Sequence, residues 1–136
     1  MNKFKEITFS TKGKFGLISL ASEIEEFVRE ADVEEGICHI YVPHATAALI
    51  ANENESGVKE DILNRILTLA PEGGKYQHNK IDGNARAHVI ASILGPDLSL
   101  PIVSGMLVRG TWQDIFFVEL DGPRAERRVV IKILSD

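Results

Sequence analysis

Cysteine is nearly absent from this chain. Cys38 is the one cysteine in 136 residues, so no intrachain disulfide can form, and a reducing, cytoplasmic compartment is the simpler expectation. Long apolar runs are absent as well. None approaches the roughly 20 residues of a membrane span, and no apolar segment follows residues 1–5 to suggest a signal peptide. Basic residues are outnumbered, 15 against 20 acidic, for a net charge of −5. That balance excludes the basic face of a general nucleic-acid binder. It leaves one small basic cluster, Arg124, Arg127 and Arg128, sized for a phosphorylated small molecule. The familiar catalytic signatures are missing too: there is no H-E-x-x-H, no paired C-x-x-C, no P-loop and no G-x-S-x-G. No internal repeat, low-complexity tract or linker interrupts the chain.

What is present suits one α+β domain over residues 1–136. Hydrophobic residues make up 44% of the chain, enough for a core without disulfides. Residues 3–10 read as a strand with imperfect alternation, as at a sheet edge. Leu20, Ile24, Phe27, Val28 and Ala31 fall on one helical face. Ser22 and Glu25 have the form of a capping box, and Gly36 reads as the stop. Residues 37–42 form a β-branched and aromatic strand. Residues 45–51, small or apolar throughout, read as a strand covered on both faces. Ser56 is placed to cap a helix whose buried stripe is Val58, Ile62, Ile66 and Leu69. Ala87, Ile90, Ala91 and Leu94 predict a further helix, with Asn84 at its N-cap. Residues 98–103 contain Pro101 and suit an edge or a bulge. Residues 114–120 are apolar on both faces and should be central. Val129, Ile131 and Ile133 share one face of the closing strand. Mixed element order with late hairpin turns favours a largely antiparallel sheet, or a sandwich, with two to three packed helices.

The groups able to carry chemistry sit at element ends or on flanks: His44, His78, His88, Asn52, Asp61, Asn84, Trp112, Glu119 and Arg124. The stretch Tyr76 to His88 is the richest, a polar run between two apolar segments. A helix start at Asn84 attracts anions, and His88 lies on the same flank. Zinc can be held by three imidazoles with a fourth position open, so His44, His78 and His88 are candidates if the fold gathers them. Each group also has a plain structural explanation. His44 ends a strand, His78 sits in a loop, Asp61 is a helical surface charge, Trp112 suits a core, and Glu119 with Arg124 suits an ion pair.

The chain resembles the YjbQ-like family, whose members are described as secondary thiamine-phosphate synthases. The matching residues are Pro43-His44-Ala45-Thr46-Ala47-Ala48-Leu49, Asn52-Glu53, Asp61, Tyr76 with His78, Asn84-Ala85 with Ala87-His88, Gly110-Thr111-Trp112-Gln113, Glu119 and Asp121-Gly122-Pro123-Arg124. Ala45 replaces the hydroxyl residue usual after the first histidine, and Arg109 stands where an apolar residue is usual. The resemblance implies an α+β homotrimer with sites near subunit boundaries. It also implies a histidine cluster of His44, His78 and His88 as a candidate site for a divalent metal, zinc or magnesium. The activity it implies is weak thiamine-phosphate synthesis on a small phosphorylated substrate. In that role Asp61 and Glu119 orient the histidines, while Asn52, Asn84, Trp112 and Arg124 bind substrate. The alternatives are a metal-dependent phosphoester hydrolase and a binding module without turnover.

Overall fold

Side-chain alternation along the last strand sets the architecture. In a computed structural model describing residues 3–136, strand β8, Arg124–Ser135, turns Val129, Ile131 and Ile133 inward. Met1 and Asn2, part of the N-terminal reading above, lie outside the described residues. Strand β8 pairs antiparallel with β1, Lys3–Thr11, on one side and with β3, Gly36–Tyr41, on the other. Strand β5, Asp97–Val103, and the two-residue β6, Met106–Leu107, complete a five-stranded sheet in the order β1-β8-β3-β5-β6. The second sheet has the order β2-β7-β4, from Gly16–Ser19, Gln113–Glu119 and Ala47–Glu53. All the pairings are antiparallel. The fold is therefore α+β, as expected, with β1 at an edge and β7 central.

Two cores follow from the central strand. Ile115 and Phe117 face the larger sheet, meeting Ile40, Val129 and Ile131 together with Ile24 and Val28 of α1, Ala21–Ala31. The opposite face carries Val118 and Leu120, which pack with Ile66 of α2, Ser56–Leu67, and with Ala87, Ile90 and Ala91 of α3, Ala85–Leu94. Burial on both faces is the reason β7 reads as a continuous apolar run.

Tertiary contacts override several local signals. Strand β2 carries no alternation of its own and becomes a strand by pairing with β7. The Ser22–Glu25 capping box does not form. Leu20 is the N-cap of α1 without a side-chain bond, and Asp114 Oδ1 on β7 accepts from Ala21 N at 3.2 Å instead. Asp32, at φ 55°, ends α1 in place of Gly36. Gly36 has a different duty: a Cβ there would lie 2.2 Å from the Leu134 carbonyl oxygen across the β3–β8 pairing. Glu55, not Ser56, caps α2, its carboxylate accepting from Val58 N at 2.9 Å. Along the expected α2 stripe only Ile66 is fully buried, and Leu69 is 46% exposed.

Candidate functional site

The end of β7 at Glu119 and the start of α3 meet at one corner. Glu119 is buried, and its Oε1 accepts from Thr11 Oγ1 at 2.7 Å and from Arg127 Nε at 2.9 Å. Its Oε2 accepts from Arg127 Nη2 at 2.5 Å and from Asp121 N at 3.0 Å. Burial alone would raise its pKa; the bonds from Arg127, Thr11 and Asp121 N outweigh that and hold the carboxylate below its usual range. The expected pairing of Glu119 with Arg124 is not the one formed. Arg127 takes Glu119, and Arg124 binds Asp121, Nη2 to Oδ2 at 2.8 Å and Nε to the Asp121 carbonyl at 2.9 Å. The turn leaves no room for a side chain at Gly122, where a Cβ would lie 2.1 Å from the Gly13 carbonyl oxygen.

From Asp121 the contacts run into the histidine-rich stretch. Asp121 Oδ2 accepts from Asn84 Nδ2 at 2.9 Å, and Asn84 Oδ1 lies 2.9 Å from His78 Nε2. His78, on the 3-10 turn Gln77–Lys80, stacks edge-on with His88 of α3, their ring centroids 4.6 Å apart. Asn84 occupies the N-cap position of α3 as expected, yet its side chain does not cap; Asn79 Oδ1 accepts from Ala85 N at 3.1 Å instead. Beside this chain of contacts lies a cleft of about 190 Å³ lined by Lys14, Tyr76, Asn79, Asn84, Arg86 and Asp121, among others.

The other candidates fall elsewhere. His44 Nε2 accepts from Arg128 N at 2.9 Å. Burial, then the neighbouring Arg127, lowers its pKa and keeps the ring neutral. That lone pair is occupied, so His44 is not free to ligate through Nε2. Among the described residues no three or more His, Cys, Asp or Glu side chains are gathered to hold an ion. His78 and His88 alone fit as neighbouring imidazole donors. Asn52 and Trp112 sit at the far end of the β4–β7 pairing, about 20 Å along the strands from Glu119. Asn52 Oδ1 accepts from Glu53 N at 2.8 Å, while Trp112 is 73% exposed beside Asn54, Arg109 and Asp114. Arg109 ties that loop to α1, Nη2 to Glu25 Oε1 at 2.9 Å. Asp61 lies exposed on α2 in a shallow groove with Asn64, Arg65 and Thr68. Sequence reasoning singled out neither Asp121 nor Asn79 as a site residue. The one available signal for Asp121 was its place in the Asp-Gly-Pro-Arg turn. Among the described residues, no helix is long and apolar enough to cross a membrane.

Comparison with known proteins agrees with this fold. The family model described as UPF0047 protein YjbQ-like matches residues 5–136. A UPF0047 protein of Archaeoglobus fulgidus is 43% identical over 129 residues, covering 95% of this chain and 99% of its own. UPF0047 protein YugU of Bacillus subtilis is 34% identical over 132 residues, covering 96% of this chain and 98% of its own. Among solved structures, a YbjQ-like protein of unknown function from Sulfolobus solfataricus superposes with a TM-score of 0.98 at 44% identity, over 100% of this chain and 99% of the other. A hypothetical protein from Aeropyrum pernix gives a TM-score of 0.93 at 38% identity, over 98% and 99% of the two chains.

Proposed function

This chain belongs to the YjbQ-like UPF0047 family, and from that footing we propose that it is a small-molecule enzyme acting on phosphorylated substrates, a weak thiamine-phosphate synthase that works as a cytoplasmic homotrimer. The observation that carries this reading is the corner at the start of α3. There two imidazoles stand 4.6 Å apart and connect through Asn84 and Asp121 to the guanidinium of Arg124. In the reaction, a thiazole-phosphate ring nitrogen forms a bond to the methylene carbon of a pyrimidine diphosphate. The carbon–oxygen bond to the diphosphate breaks, and its electron pair leaves with pyrophosphate. Charge gathers on the leaving group, so fixed positive groups do most to lower the barrier. Arg124 and the positive end of the α3 dipole supply them. His88, whose ring makes no hydrogen bond among the described residues, is free to protonate the departing oxygen. Alternatively, a divalent ion held by His78 and His88 would neutralise the diphosphate as a Lewis acid, in place of that proton.

Glu119, with four donors already on its oxygens, positions the Asp121 turn in this scheme and makes no contact with substrate. Exposed Val89 and Ile93 on α3, 39% and 56% accessible, support a contact between copies beside His88. The buried thiol of Cys38, its pKa pushed up to about 12 by burial, stays protonated and unreactive.

Steady-state formation of thiamine phosphate by zinc-loaded protein tests the reading. His78→Ala and His88→Ala should each lower the rate by roughly 10²-fold or more, and unchanged rates would refute the assignment. Product that forms from one substrate alone, with water incorporated, would mark a hydrolase instead.

A further inference from the structure

A carboxylate, an amide and an imidazole stand in series at this corner, and each step has only one chemically allowed direction. Asp121, as a carboxylate, accepts and cannot donate. It therefore draws the Nδ2 end of Asn84 toward itself, at 2.9 Å. The amide has one donor end and one acceptor end, so this turns its carbonyl oxygen toward His78 Nε2, also 2.9 Å away. A carbonyl oxygen cannot donate, so Nε2 must carry the proton. In a neutral imidazole the lone pair then sits on Nδ1.

We infer that Asp121, acting through Asn84, is a positioning residue that locks His78 in its Nε2–H tautomer and reserves Nδ1 for the ligand. The surroundings are built for that task. Arg124 grips Asp121 at both carboxylate and carbonyl, while the Asp121 amide is tied to Glu119 at 3.0 Å. Asn84 makes no side-chain cap bond to α3, and Asn79 accepts from the Ala85 amide. A helix N-cap asparagine usually spends its oxygen on its own helix; this one spends it on a histidine. Metal-ligating histidines commonly have their second nitrogen oriented by a carboxylate or carbonyl in this way. His88 is the neighbouring imidazole, its ring centroid 4.6 Å from that of His78.

The inference deepens the proposed function by naming the nitrogen of His78 that acts. Its test needs no substrate, so a failure of thiamine-phosphate formation does not touch it. Long-range proton–nitrogen correlation spectra of the metal-free protein report the tautomer of each histidine directly. Wild-type His78 should be wholly Nε2–H. Asp121→Ala should lose that exclusivity and bring in the Nδ1–H form. Asn84→Ala, which leaves the Asp121 turn intact, should do the same if Asp121→Ala folds poorly. Asp97→Ala, which removes the carboxylate 3.8 Å from His39, should leave His78 unchanged. Titration with zinc should shift the Nδ1 resonance while the Nε2 proton stays, with affinity weakened about 10–100-fold in Asp121→Ala. A wild-type His78 in the Nδ1–H form would overturn the inference. So would an Asn84→Ala protein that stays wholly Nε2–H, or zinc bound at Nε2. Absence of zinc binding would count against the metal in the proposed function, while the metal-free spectra would still decide the tautomer.

Discussion

Glu119 is 1% exposed and remains charged because four donors surround its oxygens. A buried ion pair is costly to assemble and costlier to break, since removing one partner strands the other charge. Glu119→Ala or Arg127→Ala should therefore destabilise the fold by about 3–5 kcal/mol, read from urea unfolding. Replacing both with apolar residues of similar size should recover part of the loss. The folded-state pKa of Glu119 is depressed, so its contribution is present above the unfolded carboxylate value, near 4.3. It fades as pH falls through the lower folded value. From sequence, the need of Glu119 for an ionic partner was legible. That Arg127 and not Arg124 is the partner was not. The choice depends on β1 and β8 lying across from β7, which brings Thr11 and Arg127 to Glu119.

Among the elements, α1 shows how a helix start can be borrowed from elsewhere. Asp114 on β7 accepts from Ser19 Oγ at 2.6 Å, Asn54 Nδ2 at 2.8 Å, Ala21 N at 3.2 Å and its own neighbour Ile115 N at 2.7 Å. One carboxylate thus fastens β2, the α1 start and the chain after β4 to the central strand. Asp114→Ala should cost about 2 kcal/mol, as expected for hydrogen bonds to a charged acceptor. Thermal unfolding measures it, and Ser22→Ala should change little because its capping box does not form. The apolar stripe of α1 was readable because 3.6-residue spacing is a local property. The cap was not readable, because its acceptor lies 93 positions along the chain.

For the molecule as a whole, the open question is what covers the apolar residues left in view. Helix α3 is apolar nearly all round, and such helices are usually buried on more than one side. One side meets the second sheet through Ala87, Ile90 and Ala91, and the other shows Val89 and Ile93 to solvent. In the proposed homotrimer these residues face a second copy. Sedimentation of the wild-type protein should then give three times the 15.0 kDa of one chain. Val89→Glu with Ile93→Lys should give a single-chain mass with the fold retained by circular dichroism. A wild-type protein sedimenting as one chain would remove the trimer.

The sequence by itself determined the fold class, the central apolar strand, the closing strand and the face of α1. Each rests on periodicity between near neighbours, which any folded state must respect. It also marked the stretch from Tyr76 to His88 as the polar centre of the chain. Only the tertiary structure decided which candidates act together. It joined His78, His88, Asn84 and Arg124 through Asp121, tied His44 to the Arg128 amide, and left Asn52 and Trp112 at the opposite end of the strands. The reason is physical: a hydrogen bond between groups 37 or 84 positions apart depends on strand register and sheet packing, and neither leaves a local trace in the chain.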